Sequence, residues 1–107
     1  MATPESIVTA ACVNWAVSQG WRADRNHVGT FYTAYGGTVH IGRKGQPDWR
    51  FLKANPDRYF ECEFKAEGKK PRKDQLEYMA ILKHLGIRVF VADSLESFKL
   101  QVAQFFD

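Results

Sequence analysis

The segment YFECEFK, at residues 59–65, alternates polar and apolar side chains along its whole length. Successive side chains of a β-strand point to opposite faces, so this alternation predicts a strand with one apolar face and one charged face. Glu63 and Lys65 are two residues apart and therefore stand side by side on the charged face, which also carries Glu61. Such a face is usually solvated, so the Glu-x-Lys pair alone is only weakly specific for a functional site.

The rest of the chain divides into helices and strands by its periodicity and its turn residues. A Thr-Pro pair opens a first helix at residues 4–19, and Gly20 can end it. Further strands are predicted at residues 30–35, 38–41, 49–53 and 88–92. A second helix is predicted at residues 73–85, and a last helix begins after a capping box formed by Asp93 and Glu96.

The predicted element order is α-β-β-β-β-α-β-α. Residues 59–92 contain a strand, a helix and a second strand, which is the pattern of a βαβ crossover between parallel strands. We therefore expect an α/β fold with a mixed β-sheet flanked by helices. Apolar spacing predicts that the second helix buries Tyr78, Ile81, Leu82 and Leu85. It predicts that the last helix buries Leu95, Phe98, Val102 and Phe105.

Length and composition are those of one small domain, residues 1–107. No apolar run approaches the roughly 20 residues needed to cross a bilayer. The N-terminal sequence MATPESIV lacks the charged and apolar regions of a secretory signal. Two cysteines, Cys12 and Cys62, do not make a disulfide framework, and both are expected in the core. A cytoplasmic location is therefore the expectation.

Asp48 and Glu63 are expected to converge, because the strand after Asp48 can pair with residues 59–65 as a hairpin. Hard divalent cations such as Mg²⁺ take oxygen ligands, typically one or two carboxylates with waters and a substrate phosphate. Such an ion can polarise a phosphodiester and activate water, while Lys65 could orient or deprotonate that water or stabilise the developing charge. The backbone carbonyl of Phe64 could add a ligand. Without metal, the two carboxylates should repel each other and raise at least one pKa.

Three motifs in this order resemble the PD-(D/E)XK nuclease superfamily and, more narrowly, its virus-type replication-repair nuclease (VRR-NUC) branch. They are Gly45-Gln46-Pro47-Asp48, Glu63-Phe64-Lys65 and Gln75. In that branch a G-x-P-D turn precedes a short strand, an E-x-K strand follows, and a helix that opens with Gln comes after a loop. The similarity extends from about residue 45 to residue 98, and it implies a restriction-endonuclease-like core.

The resemblance implies a role for each matching residue. Asp48 and Glu63 would bind Mg²⁺ or Mn²⁺, and Lys65 would be the catalytic lysine. Gln75 would support the site, and Glu5 on the first helix would contact the metal or its water shell.

Two residues depart from the family pattern or compete with it. Arg72 stands where the family often has a Ser or Thr helix cap. Glu61 shares the face of Glu63, but the spacing to Lys65 favours Glu63 as the ligand. Glu61 would then be solvated or paired with Arg50.

Basic residues are concentrated directly after the candidate lysine. Residues 65–73 hold five basic side chains against one acidic side chain, although the net charge of the chain is only +3. On charge alone this would be a solvated loop, but its position beside the site suggests phosphate contacts. The candidate DNA-binding residues are Lys69, Lys70, Arg72, Lys73, Arg25, Arg43 and Lys44. They form no base-reading pattern, so we expect recognition of DNA shape rather than sequence.

These features together predict a Mg²⁺- or Mn²⁺-dependent endonuclease that hydrolyses DNA phosphodiesters. By analogy with small stand-alone VRR-NUC proteins, it would be a homodimeric resolvase of four-way (Holliday) junctions, of phage or bacterial origin, acting in repair or recombination. Two alternatives stay open. One is a DNA-binding module with the fold but not the chemistry, against which the presence of all three site residues argues. The other is an interaction domain with a charged sheet face, which leaves the order of the motifs as coincidence.

Overall fold

The computed structural model describes residues 2–26, 29–32, 34–41 and 45–106, with side chains described for all of these except residues 29–32 and 39–41. Its helices are α1 (Pro4–Ser18), α2 (Lys73–His84) and α3 (Leu95–Phe106). Its strands are β1 (Arg22–Arg25), β2 (Gly29–Tyr32), β3 (Thr38–Ile41), β4 (Trp49–Lys53), β5 (Arg58–Phe64) and β6 (Val89–Ala92). The predicted elements occur in the predicted order, and β1 is an additional strand. Within the described ranges, no helix has the length and hydropathy needed to cross a membrane.

The main sheet has the strand order β1-β4-β5-β6, and β2 pairs with β3 in a separate antiparallel ribbon. Strand β4 is antiparallel to both β1 and β5, whereas β5 and β6 are parallel and are joined through α2. The mixed sheet and the crossover are therefore confirmed. Strand β1 reads Arg-Ala-Asp-Arg, a charged composition that is typical of a short edge strand and carries no apolar strand signal.

One face of the sheet forms the main core with α1 and α3. Phe51 of β4 stacks on Phe60 of β5 with ring centroids 4.7 Å apart, and Phe98 of α3 packs against both rings. All three side chains are fully buried, and burying each one contributes roughly 1.5–3 kcal/mol to stability. Cys12 and Cys62 are free thiols in this core, as predicted.

Helix α2 packs against the opposite face of the sheet. Its buried side chains are Gln75, Met79 and Leu82. Met79 and Leu82 pack with Val89 of β6 in a second, smaller core. The predicted stripe is wrong for Ile81 and Leu85, whose exposed fractions are 58% and 67%. The inward flank instead carries Gln75, Met79 and Leu82, spaced by four and three residues, with Gln75 hydrogen-bonded to Glu63 and the other two packed against the sheet.

The start and end of α3 also differ from the prediction. Ser94, rather than Asp93, caps the helix, since its hydroxyl accepts a hydrogen bond of 3.0 Å from the backbone N–H of Ser97. Asp93 instead accepts a 3.0 Å hydrogen bond from the backbone N–H of Gly68, in the loop after β5. At the other end, Phe105 is 40% exposed and is not part of the core. Phe106 packs against the core in its place.

Candidate active site

Asp48 and Glu63 lie side by side because of the register between β4 and β5. Trp49 of β4 is opposite Cys62 of β5, so Asp48, one residue earlier, comes next to Glu63, one residue later. Asp48 Oδ2 also accepts a hydrogen bond of 3.4 Å from the backbone N–H of Phe64. The two carboxylates interact strongly enough to shift the pKa of Glu63. Their predicted convergence is therefore confirmed.

The turn that carries Asp48 is held against the first turn of α2. Gly45 is buried and has a φ of +89°, a left-handed conformation that residues with a Cβ rarely adopt. A Cβ at this position would also overlap the backbone carbonyl of Asp74 in α2. Pro47 is fully buried in the same turn. The glycine of the G-x-P-D motif thus permits the close approach between turn and helix that places Asp48 at the site.

Gln75 connects α2 to Glu63. Its side chain is 4% exposed, and its Nε2 donates a hydrogen bond of 3.0 Å to Glu63 Oε2. Its Oε1 accepts a hydrogen bond of 2.8 Å from the backbone N–H of Arg72, which satisfies one of the unpaired donors at the start of the helix. Gln75 therefore points inward from α2, toward β5. The Gln75 side chain therefore both caps the start of α2 and orients the carboxylate of Glu63.

Lys65 is buried beside the same carboxylate. Its Nζ lies 3.4 Å from Glu63 Oε2, and the residue is 7% exposed. Glu63 Oε2 thus faces both the Lys65 ammonium and the Gln75 amide. The other carboxylate oxygen, Glu63 Oε1, is buried and has no hydrogen-bond partner within the described part of the chain.

The electrostatics of the site favour a proton or a cation at Glu63. Burial and, second, the negative charge of Asp48 raise the pKa of Glu63 to about 8, and the Lys65 ammonium opposes this rise only in part. The carboxyl is 2% exposed, so water cannot screen the repulsion between the two acids. The direction of this shift agrees with the expected rise of at least one carboxyl pKa, but burial contributes more to it than the repulsion by Asp48.

The donor set fits a hard divalent cation. A buried acceptor without a partner costs about 1–3 kcal/mol, and a cation between Glu63 and Asp48 would both satisfy that oxygen and offset the repulsion. Among the described residues, no group of three or more His, Cys, Asp or Glu side chains could hold a metal ion by itself. Two carboxylates suit Mg²⁺ nevertheless, because this ion usually keeps several waters and binds substrate phosphate.

A cavity of about 310 Å³ adjoins these groups. The predicted site residues that line it are Glu5, Arg25, Asp48, Glu63, Lys65, Arg72 and Gln75. Glu5 reaches it from α1, Arg25 from β1, and Arg72 from the residue before α2. A second cavity of about 520 Å³ extends along α1 and shares Glu5, Arg25 and Asp48 with the first. The two cavities therefore adjoin each other at these three residues.

The remaining basic candidates are distributed differently. Lys69 and Lys70 are exposed and line a separate cleft with Asp93. The Lys73 side chain is 91% exposed and pairs with Glu77 across one helical turn, with 3.9 Å between Lys73 Nζ and Glu77 Oε1. Arg43 and Lys44 lie outside the described residues. Arg25 and Arg72 are thus the basic candidates, besides Lys65, that the structure brings to the cavity.

Asn26 is a site residue that sequence reasoning missed. It follows β1 and lines the cavity, and its side chain donates hydrogen bonds to Pro47 and to Glu61. No motif or periodicity singles out this asparagine, since the strand before it has no apolar pattern. Glu61 is only 6% exposed, so the expectation that it is solvated is wrong. Burial raises the pKa of Glu61, and the hydrogen bonds with Tyr59 and Asn26 and the charge of Arg50, directly opposite in β4, offset that rise only in part.

The whole fold is similar to that of a solved structure described as a VRR_NUC domain. The two have a TM-score of 0.73 and 20% sequence identity, and the match covers 99% of this chain and 100% of the other. No protein-family model matches the sequence, and no curated protein matches it. The resemblance suggested by the motifs is therefore confirmed at the level of structure: this chain has the fold of a VRR_NUC domain.

Proposed function

We propose that this protein is a Mg²⁺- or Mn²⁺-dependent endonuclease that hydrolyses DNA phosphodiester bonds, with residues 1–107 as a single nuclease domain. The observation that carries the proposal is the buried Glu63 Oε1, which has no hydrogen-bond partner among the described residues and lies in a cavity that Asp48 and Lys65 also line. Two repelling acids next to a lysine and two arginines suit a divalent cation and a phosphate together. The VRR_NUC-like fold supports the same conclusion.

Asp48 and Glu63 would hold the ion, with the Phe64 backbone carbonyl as a further proposed oxygen ligand, and Glu5 would contact the water shell of the ion. When bound, the ion would supply Lewis acidity to the phosphate and to the attacking water. Gln75 keeps Glu63 oriented through Oε2, which leaves Oε1 for the ion.

Hydrolysis forms a bond from a water oxygen to phosphorus, breaks one P–O ester bond and leaves a proton on the departing oxygen. Lys65 would stabilise the negative charge that builds on the phosphate oxygens. Its ammonium is buried at the cavity, where surrounding water screens it little, so its field acts at close range. We therefore assign catalytic roles to Asp48, Glu63 and Lys65, and a positioning role to Gln75.

The proposed DNA track passes Arg25 and Arg72, which line the same cavity as the two carboxylates. Their guanidinium groups can each hold a backbone phosphate through two parallel hydrogen bonds. From Arg25 the track continues along α1 into the second cavity, which shares that arginine. Lys69, Lys70, Lys73, Arg43 and Lys44 are proposed as outer phosphate contacts. Contacts of this type carry no base information, in keeping with recognition of DNA shape.

We also propose that the enzyme is a homodimer that resolves four-way junctions in the cytoplasm of a bacterial or phage-infected cell. The junction preference rests on the resemblance to small VRR-NUC enzymes, since a two-fold dimer presents two sites to two symmetric strands. The exposed side chains of Ile81 and Leu85, next to each other on one flank of α2, supply apolar surface for self-association. Light scattering of the wild type and of Ile81→Glu would test the dimer, which should become monomeric in the variant.

The function is tested by cleavage of labelled four-way junction, flap, single-stranded and duplex DNA, in Mg²⁺ or Mn²⁺ and in chelator. We expect cutting that requires metal and that is fastest on the junction. Lys65→Ala should abolish it, and Lys65→Met should do the same while preserving more of the buried side-chain volume. Lys83→Ala, on the exposed surface near the C-terminal end of α2, is the matched control and should cut like the wild type.

Two results would contradict the proposal. Binding of all four substrates without cutting in either metal would favour the non-catalytic DNA-binding module. Metal-dependent cutting that persists in a folded Lys65→Met protein would show that another site carries the chemistry.

A further inference from the structure

We infer that Asn26 is a positioning residue that holds the Pro47–Asp48 turn in place for metal binding, and that the buried carboxylate of Glu61 is its anchor. The inference rests on the proposed function, because it concerns the affinity of the same site for a divalent cation. It assigns a role to the edge strand β1 and to a buried acid that the proposed reaction does not use.

Asn26 makes three hydrogen bonds to other described residues, two of which reach the turn that carries Asp48. Its backbone N–H donates to the carbonyl of Asp48 at 2.8 Å. Its side-chain Nδ2 donates to the carbonyl of Pro47 at 2.9 Å. The backbone bond extends the antiparallel pairing of β1 and β4 beyond the last paired residues, Arg25 and Trp49. Asn26, directly after the edge strand, therefore binds the turn through the consecutive backbone carbonyls of Pro47 and Asp48.

The third bond anchors Asn26 to the middle of the sheet. Nδ2 also donates to Glu61 Oε1 at 3.1 Å. A side-chain amide nitrogen has two N–H donors, so both are used, one toward Pro47 and one toward Glu61. The chemistry also settles the amide orientation, because the amide oxygen would face a carbonyl and a carboxylate and would be repelled by both.

Glu61 is suited to anchoring rather than to ligation. It lies on β5, two residues before Glu63, but it does not line the cavity that Asp48 and Glu63 share. It is 6% exposed, and a buried carboxylate without hydrogen bonds would be strongly unfavourable. The bond from Asn26 satisfies one of its oxygens. The pair therefore links a rigid central strand to the loop-borne ligand Asp48, and partners of this kind typically change metal affinity about 10–100-fold when removed.

The inference is tested by the melting temperature of each protein over a titration of Mg²⁺ or Mn²⁺, starting from chelator. The rise in Tm follows RT ln(1 + [metal]/Kd), and the Kd fitted to it, which is the midpoint of binding, reports affinity independently of cleavage. We expect Asn26→Ala to raise this midpoint by about 10-fold or more. Asp24→Ala is the matched control on the same strand, because it loses the exposed contacts with Arg22 and Arg50 but none with the turn. Its midpoint should equal that of the wild type.

Two variants of Glu61 separate anchoring from charge. Glu61→Gln keeps an acceptor for Asn26 but removes the charge, so we expect a wild-type midpoint. Glu61→Ala removes the acceptor, so we expect the raised midpoint of Asn26→Ala. A raised midpoint in Glu61→Gln would instead show that Glu61 acts on the metal through its charge, and this result would overturn the inference. If Asn26→Ala does not fold, Asn26→Leu keeps a neutral side chain of similar size without an N–H donor and should show the same raised midpoint.

The outcomes distinguish this inference from the proposed function. Wild-type protein that shows neither a metal-dependent shift nor cleavage would overturn both. Wild-type protein that shows both, together with an unchanged midpoint in Asn26→Ala, would overturn only the role of Asn26.

Discussion

Gln75 of α2 and Glu63 of β5 are joined by a buried hydrogen bond of 3.0 Å from Gln75 Nε2 to Glu63 Oε2. The same side chain accepts a hydrogen bond from the backbone N–H of Arg72, at the start of the helix. The rotation of α2 about its axis and the orientation of the carboxylate are therefore set together. Removing the hydrogen bond at the start of α2 should therefore misorient Glu63, and removing the bond to Glu63 should destabilise the start of α2.

Replacing Gln75 tests this coupling. Gln75→Ala leaves the Arg72 N–H and one face of Glu63 without their partners, so we expect a loss of about 1–3 kcal/mol in the free energy of unfolding. We also expect kcat to fall about 10-fold or more, because Glu63 is no longer oriented. Denaturant unfolding and single-turnover cleavage measure the two effects. Glu77→Ala, on the exposed side of the same helix, should leave both unchanged, and a Gln75→Ala enzyme with wild-type kcat would contradict the coupling.

Replacing Glu63 should separate stability from function. In chelator at pH 8, Glu63→Gln removes the cost of either protonating the buried carboxyl or holding its charge beside Asp48, so we expect a Tm at least equal to that of the wild type and up to about 4–8 °C higher, equivalent to about 1 kcal/mol. The Mg²⁺-dependent rise in Tm and the cleavage activity should both be lost, as is typical where a functional site stores destabilising charge. Differential scanning fluorimetry with and without Mg²⁺ measures this. Glu67→Gln, in the exposed loop after β5, is the control, and a Glu63→Gln protein markedly less stable than this control in chelator would refute the repulsion.

The stability of the metal-free protein should depend on pH in a defined direction. The Glu63 carboxyl titrates near its ordinary value of 4.5 in the unfolded chain and at about 8 in the folded protein. Between these values the folded state keeps a proton that the unfolded state has lost, so stability falls as the pH rises from about 4.5 to about 8. Melting curves in chelator at pH 5 and pH 8 should show the lower Tm at pH 8. In Glu63→Gln this difference should shrink, and an equal slope in both proteins would assign it to other groups.

Two glycines provide a matched test of the turn that carries Asp48. Gly45 and Gly68 both have positive φ, at +89° and +79°, but a Cβ at Gly45 would overlap the Asp74 carbonyl whereas one at Gly68 meets open space. Gly68→Ala should therefore cost only the left-handed strain, about 1–2 kcal/mol. Gly45→Ala should cost about 1–3 kcal/mol more, because the turn must also move away from α2. Urea unfolding compares the free energies of unfolding of the two variants. Equal losses would mean that the turn can move away from α2 at little cost.

Much of the fold was predictable because it depends on local patterns. The period of two in residues 59–65 identified β5, and the β4–β5 hairpin then brought Asp48 and Glu63 together, as the register shows. The edge strand β1 was not predictable, since its charged residues carry no periodic signal and only the pairing with β4 makes it a strand. The exposure of Ile81 and Leu85 was missed for a related reason: an apolar pattern on a helix does not show which flank faces the sheet.

The sequence by itself determined which residues are near each other along β5 and its hairpin, because side-chain alternation and strand pairing are properties of short segments. It therefore sufficed to identify Asp48, Glu63 and Lys65 as a group. Only the tertiary structure decided the environment of that group. The packing of α2 on the charged face turned a strand surface that is usually solvated into a buried site, where desolvation raises the pKa of Glu63. The contact of Asn26 with Glu61 spans 35 residues of chain, a distance over which no local periodicity carries information.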